Sequence, residues 1–285
     1  MNTRRRKTHQ RKKLVRVYAE SAPVFYSLRA SFSYMAVESS REFNKISGEY
    51  DRGRVSEDHM FWAGEAERLA QIDSGSLVVD MGCGTGNYGL GIKVKTHAIV
   101  VGFDPVPGML DQAKEKTPDF PTVLAVSEHM PFRSSVFDLV YAAQVWHHVV
   151  VKQEAADECC RILKYSGTNI AHTIGHAQLH EKVVFKFFPE ILKNQLDVYP
   201  SDEAFRTYFK RAGFKTTEIY PYGVERYQTA DEFIEIAEKK LWSMFRPITQ
   251  VGLERGIADL KRWKVEHQDA PIRNDEMITL FVSRK

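Results

Sequence analysis

No stretch of the sequence approaches the roughly 18 uninterrupted apolar residues that a membrane-spanning helix needs, so no span is expected in its 285 residues. The charges at its start are not followed by the apolar stretch that a secretory signal requires, and a cytoplasmic protein is expected. Cysteine is scarce: there are three, with no Cys-x-x-Cys pair and with Cys159 and Cys160 adjacent. That argues against a disulfide framework and against a zinc site, and it fits a reducing compartment. There is no internal repeat and no low-complexity tract. Acids are missing from the first sixteen residues, which hold eight Lys or Arg (Arg4, Arg5, Arg6, Lys7, Arg11, Lys12, Lys13, Arg16). Taking those eight away from the net charge of +3 leaves the rest of the chain at −5. The body is therefore mildly acidic, which speaks against a surface built as a whole to grip nucleic acid.

Apolar residues make up 43% of the chain, enough for a buried core in one large or two small domains. Residues 1–44 read as an arm, the basic stretch being followed by aromatic-bearing helices interrupted near Pro23. The arm reads as a solvated tail whose helices pack on the body or on a neighbouring subunit, as an RNA guide, or as an Arg-rich transit segment. From residue 55 onward helix and strand alternate, the pattern of a parallel sheet with helices on both faces. Helices are expected over 57–72, 88–94, 107–116 and 154–163. Strands are expected over 76–81, 98–103, 122–126, 137–143 and 168–174. Beyond them the rhythm loosens into helical stretches over 178–192 and 230–267 and strands near 215–220 and 277–283.

The most informative segment is Leu77-Val78-Val79-Asp80-Met81-Gly82-Cys83-Gly84-Thr85-Gly86-Asn87-Tyr88, an apolar strand running into a Gly-x-Gly-x-Gly turn. Glycine lets the backbone bend sharply and lets a ligand lie against it without an intervening Cβ. A dinucleotide fingerprint wants its third glycine where Asn87 stands, and no Lys-Ser/Thr pair marks a triphosphate loop. A second strand, Val100-Val101-Gly102-Phe103-Asp104, ends in an acid about twenty residues after the glycines, where it can accept hydrogen bonds from both hydroxyls of a ribose. In this strand-turn-helix-strand order, the two elements indicate a cofactor that contains a nucleoside.

These residues resemble class I S-adenosylmethionine-dependent methyltransferases, particularly the group holding the ubiquinone and menaquinone C-methyltransferases and many natural-product methyltransferases. The resemblance runs from about Ile46 to the C-terminus. Tyr50-Asp51-Arg52-Gly53-Arg54 looks like the group's opening segment, Asp80 to Gly86 like its first motif, and Asp104-Pro105-Val106-Pro107-Gly108-Met109-Leu110 like the acid and the helix after it. Ser127-Glu128-His129-Met130-Pro131-Phe132 resembles the stretch over adenine, and Gln144-Val145-Trp146-His147-His148 the active-site end of the fourth strand. The resemblance implies a Rossmann-like, doubly wound, mainly parallel seven-stranded α/β sheet. It further implies one methyltransferase domain over 45–285, whose helical inserts at about 176–205 and 228–268 form a lid.

S-adenosyl-L-methionine is the implied cofactor and S-adenosyl-L-homocysteine its product. Carried over by position, Gly82, Cys83 and Gly84 would offer backbone to the methionine part, with Asp80 near its amino group. Asp104, beside Pro105, would hold the ribose. Met109 would pack on adenine, while Ser127 and Glu128 lie along its edge. Tyr50, Arg54 and Gln144 complete the expected cofactor set. Val126 stands where the group usually has the acid that binds the adenine amino group, and Glu128 is the expected substitute.

Methyl transfer is an in-line displacement from a sulfonium whose charge fades in the transition state, so positioning and desolvation should dominate. A general base is needed only for an acceptor whose proton must leave early. His147 and His148 follow a strand and should project at the carboxyl edge of the sheet, where open α/β folds bind ligands. The resemblance favours His148, with packing as its competing role, and Gln144 is placed to orient an acceptor. His172, His176 and His180 have a four-residue spacing, but a strand followed by Gly175 should break their alignment, and no metal site is expected. Aromatics outside the core sheet (Tyr18, Phe25, Tyr26, Phe32, Tyr34 and Phe43 of the arm, then Phe185, Phe187, Phe188, Tyr220, Tyr222, Tyr227, Trp242 and Phe245) suit either a lid over an apolar small molecule or ordinary packing. The expected reaction is methylation of a small hydrophobic or aromatic metabolite at carbon, oxygen or nitrogen. The alternatives are an RNA or protein methyltransferase guided by the arm, and a cofactor-binding member that transfers no methyl group.

Overall fold

The computed structural model describes Phe43, Asn44, Ser47, Gly48, Asp51 and residues 59–285. The expected arm, with its helices and any self-association, lies outside the described residues apart from Phe43 and Asn44, and Tyr50 and Arg54 lie outside them too. Along the chain run α1 (His59–Ala70), β1 (Leu77–Met81), α2 (Asn87–Thr96), β2 (Ile99–Asp104), α3 (Pro107–Lys116), β3 (Thr122–Leu124) and β4 (Phe137–Ala143). There follow α4 (Lys152–Ile162), β5 (Leu163–Thr173), α5 (His176–Glu181), α6 (Val184–Phe187), α7 (Pro189–Val198), α8 (Asp202–Ala212) and β6 (Thr216–Val224). The last elements are β7 (Tyr227–Gln228), α9 (Ala230–Glu238), α10 (Gln250–Glu266), β8 (Ile272–Arg273) and β9 (Glu276–Arg284).

Seven strands form one sheet in the order β3-β2-β1-β4-β5-β9-β6. The pairs β1–β2, β1–β4, β2–β3 and β4–β5 are all parallel. β1 and β2 are buried along their whole length, as strands covered on both faces must be, which is why they read as apolar runs rather than alternating ones. The end of β9 runs antiparallel to its neighbours: the Lys285 N–H donates to the Gly167 carbonyl at the start of β5, and the Lys215 N–H, just before β6, donates to the Arg284 carbonyl. From β1 the chain runs outward through β2 to β3 and then crosses back to β4 on the other side of β1, and this switch opens a crevice at the carboxyl ends of β1, β2 and β4.

Two compact units divide the chain. The first takes the described residues through His172 together with Arg206–Glu218 and Phe281–Lys285, and the second takes Thr173–Phe205 and Ile219–Leu280. The second unit has its own core, built on Leu179, Val184, Phe188, Phe233, Phe245 and Leu260. Phe185 and Phe187 are buried in that core and Trp242 packs on it, so these aromatics serve packing. Tyr220 and Tyr222 are half-buried and Tyr227 is exposed. Within this unit the expected helix over 178–192 is three short ones: the backbone turns extended at Lys182 after α5, and Pro189, which lacks the N–H that would carry a helix through, separates α6 from α7. The expected helix over 230–267 is likewise two, α9 and α10, each starting on a threonine whose hydroxyl accepts a backbone N–H: Thr229 from Glu232 and Thr249 from Gly252.

Candidate active site

The glycine turn is fastened to β2 by its own backbone. The Cys83 N–H donates to the Phe103 carbonyl at 2.9 Å, the Gly86 N–H to the Cys83 carbonyl at 2.8 Å, and the Gly84 N–H to Asp104 Oδ2 at 2.9 Å. Gly82 and Gly84 both have left-handed backbones, with φ of 64° and 52°. A Cβ on Gly82 would stand 2.5 Å from Val145 Cγ2, whereas one on Gly84 would meet nothing within 4 Å. Glycine at 82 thus admits Val145, and glycine at 84 leaves open space. The Cys83 side chain is buried, and its thiol is pushed up by burial and by the nearby carboxylates of Asp80 and Asp104.

Asp104 ends β2 and is 8% exposed. Its Oδ1 accepts the Val106 N–H and its Oδ2 the Gly84 N–H, both at 2.9 Å. Each oxygen keeps a second lone-pair position, so the carboxylate can still accept two hydroxyl donors. Burial raises its pKa to about 6, against the pull of the two backbone hydrogen bonds. Asp80 ends up 1% exposed, with Oδ2 taking the Gly89 N–H at 2.9 Å. Burial lifts its pKa to about 7, and the charge on Asp104 adds to the rise. Asp80 is not among the residues that line the cleft.

The cleft lies wholly within the first unit, beside Gly82, Gly84, Asp104, Pro105 and Met109. Val126, Ser127 and Glu128 form another wall, and Phe43, Gln144, Val145, His148, Val149 and Val150 also line it. The Ser127 hydroxyl donates to Glu128 Oε2 at 3.0 Å, while Glu128 Oε1 accepts the N–H groups of Val150 and Val151, both at 3.1 Å. Of the four lone-pair positions of the Glu128 carboxylate, one on Oε2 stays open toward a further donor. Glu128 therefore ties the loop after β3 to the loop that carries the two histidines.

Gln144 follows β4 with a left-handed φ of 55°, its N–H held by the His172 carbonyl at 2.8 Å. His147 and His148 have ring centroids 3.9 Å apart, but only His148 lines the cleft, where its ring meets the edge of Phe43. His172 instead points into the first unit, with Nδ1 2.7 Å from the Tyr141 hydroxyl and its ring among Trp62 and Tyr88. His176 and His180 lie on α5, and His176 Nε2 bonds the Tyr199 carbonyl. Phe43, one of the N-terminal aromatics expected near the acceptor, and Val145, within the segment expected at the active-site end of β4, both line the cleft. Sequence reasoning missed Val149 and Val150, which carry no polar signature and reach the cleft only through folding. It also gave no role to Asp51, which accepts hydrogen bonds from Thr85 and Asn87.

Among the described residues no Lys or Arg lines the cleft, while buried acids stand in and beneath it. That set of groups suits a sulfonium cofactor. Asp104 keeps two open acceptor positions, Met109 and Val126 line the cleft with apolar surface, and the space over Gly84 is open, so the lining has room and partners for a ribose, a base and a methionine chain.

Residues 79–171 match the family described as Methyltransferase domain. Among curated proteins, the chain is 27% identical over 168 residues to the tRNA (carboxymethyluridine(34)-5-O)-methyltransferase alkbh8 of Xenopus tropicalis, covering 58% of this chain and 25% of that protein. It thus spans a quarter of that relative's length. It is 26% identical over 204 residues to the demethylmenaquinone methyltransferase of Staphylococcus saprophyticus, covering 62% of this chain and 88% of that one. Among solved structures, a chain from Anabaena variabilis, named as a methyltransferase of an antibiotic biosynthesis pathway, superposes with a TM-score of 0.65. That likeness, at 18% identity over 78% of this chain and 96% of the other, is one of fold.

Proposed function

The chain is a class I S-adenosylmethionine-dependent methyltransferase, and from that premise we propose that its acceptor is a small hydrophobic or aromatic molecule. The observation that carries this reading is the composition of one part of the cleft lining: Phe43, Val145, Val149 and Val150 are apolar, and Gln144 and His148 are its polar members. An apolar wall with a few placed polar groups is the usual build of a small-molecule site. The bound cofactor supplies an electrophilic methyl group on a sulfonium. The chain's own share is to exclude water around that charge, to hold the ribose on Asp104, and to hold the acceptor in line. His148, at the mouth of the cleft, is the group we assign to take a proton from a hydroxyl or ammonium acceptor. Gln144 orients that acceptor through its side-chain amide, which holds no hydrogen bond among the described residues.

The charge of the arm and the printed name of the amphibian relative favour a second reading, an RNA acceptor. One experiment separates the two. The full chain is incubated with methyl-labelled cofactor and with the metabolite, RNA and protein fractions of a cell extract in turn. Label in the organic-soluble metabolite fraction is the expected result. Label in RNA that disappears with rising salt or on removal of residues 1–16 would replace the first reading with the second.

A further inference from the structure

The segment that brings Gln144 and His148 to the cleft leaves the sheet at one hydrogen bond. Strands β4 and β5 pair in parallel as far as Ala143 and His172, and the Gln144 N–H then donates to the His172 carbonyl at 2.8 Å. There the backbone turns left-handed, with φ of 55° at Gln144. Residues other than glycine seldom take that conformation, and it persists where the bonds around it fix it. The His148 N–H closes the next turn by donating to the Val145 carbonyl at 2.8 Å. Ala143, Gln144, Val145 and His148 all line the cleft. The position of His172 therefore sets where this stretch of the lining begins.

His172 is itself held by its side chain. Its Nδ1 and the Tyr141 hydroxyl bond each other at 2.7 Å, and both residues are fully buried. Tyr141 lies two residues before Ala143, on the same face of β4, and its partner across the ladder in β1 is Asp80. The His172 ring packs on Trp62 of α1, with centroids 4.6 Å apart, and edge-on against Tyr88, at 5.0 Å. Tyr88 stands in the first turn of α2, directly after the glycine turn. Apolar side chains could pack here without burying a hydroxyl and an imidazole, groups that are costly inside a protein unless they are hydrogen-bonded. Unlike an apolar contact, the bond has a direction, so it fixes the ends of β4 and β5 against each other at the point where the acceptor segment departs.

We propose that Tyr141 and His172 form a positioning pair, whose buried hydrogen bond sets the end of β4 and so aims Gln144 and His148 into the cleft. Neither residue lines the cleft, and the pair acts through the Gln144 backbone rather than on the reacting atoms. Gly82, Gly84 and Asp104 stand at the ends of β1 and β2 instead, so cofactor affinity survives loss of the bond. The proposal rests on the reading of Gln144 and His148 as the acceptor-side groups.

The test compares the full chain as wild type, as Tyr141→Phe and as the double variant Tyr141→Phe/His172→Leu. Three readings are taken: affinity for S-adenosylhomocysteine by calorimetry, the nuclear magnetic resonance signals of the Gln144 and His148 side chains, and the rate of methyl-label transfer to the metabolite fraction. Rates are counted per molecule that binds S-adenosylhomocysteine, which removes any loss through unfolding. Tyr141→Phe should keep that affinity within about twofold, shift both signals and slow transfer about fivefold, the worth of one buried hydrogen bond. The double variant replaces both partners by apolar groups, so its thermal midpoint should return toward wild type while transfer stays slow. Wild-type signals and rate in Tyr141→Phe overturn the proposal, and so does a wild-type rate in the double variant, because the pair then serves packing alone. A fall in affinity as large as the fall in rate overturns it too, since the bond would then support the whole cleft. Should one variant fail to fold, the other decides. A wild-type protein that labels no metabolite refutes the acceptor reading instead, and the two signals then decide the positioning by themselves.

Discussion

Gly82 and Gly84 share a left-handed backbone, and substitution at each should fail in a different way. Alanine at either position carries a strain of about 1–2 kcal/mol. At Gly82 the added methyl also drives into Val145, 2.5 Å away, and overpacking of that kind costs about 1–3 kcal/mol more. At Gly84 the methyl meets no protein atom and fills space beside the cleft. Gly82→Ala should therefore lose more stability in urea unfolding, whereas Gly84→Ala should lose cofactor affinity out of proportion to its smaller stability loss. The opposite ranking in paired unfolding and binding measurements would show that the roles of the two glycines are misassigned. Gly82, Gly84 and Asp104 were legible in the sequence because a strand, a glycine-rich turn and a second strand ending in an acid are local signals at fixed spacing. Asp51 was named only as part of the opening segment, since its partners Thr85 and Asn87 lie more than thirty residues away and folding brings them to it. Val145 was named only as part of the segment after β4, because its fit against Gly82 depends on how β4 approaches β1.

Helix α10 owes its packing to two glycines one turn apart. A Cβ on Gly256 would run into the Phe188 ring at Cε1 and lie 2.8 Å from the Phe187 carbonyl oxygen. One on Gly252 would run into Glu190 Oε2, the end of an exposed carboxylate. Alanine normally gains about 1 kcal/mol over glycine inside a helix. Gly256→Ala should instead destabilise the protein by about 2 kcal/mol or more, because a ring and a backbone carbonyl block the methyl and neither can move freely. Gly252→Ala should be close to neutral. Thermal unfolding of the two variants checks the ranking, and a stabilised Gly256→Ala would mean that α10 does not pack so closely. The sheet strands and the helices between them were legible as alternating apolar runs and amphipathic segments. The second unit was legible only as helical, since aromatic spacing shows that residues pack but not where a helix breaks. Helix α8 went unread although Pro200-Ser201-Asp202 marks a start: Ser201 Oγ accepts the Ala204 N–H at 3.1 Å, and Phe205 and Phe209 are fully buried one turn apart.

Taken whole, the molecule separates charge along its length, with a strongly basic start and an acidic remainder, and it places its cofactor cleft entirely within the first of two units. Among the described residues no helix is long and apolar enough to cross a membrane. The separation of charge was plain from composition, and the two stretches of the second unit, Thr173–Phe205 and Ile219–Leu280, were expected only as helical inserts of one domain, because a segment's periodicity does not show that it shares a core of its own with another. The account depends throughout on the cleft seating an adenosyl sulfonium whose ribose is held by Asp104. Burial raises the Asp104 carboxyl to about 6 against hydrogen bonds from Val106 and Gly84. Above that pH it is ionised and accepts from the ribose hydroxyls, and below it the bound proton removes an acceptor position. The decisive measurement is a calorimetric titration of S-adenosylhomocysteine into the full chain and into Asp104→Ala, at pH 8 and pH 5. Wild type should bind one equivalent at pH 8 and more weakly at pH 5, and Asp104→Ala should lose about tenfold or more in affinity at pH 8, as expected for hydrogen bonds to a charged group. No uptake by wild type at pH 8, or equal affinity in the two proteins, would contradict it.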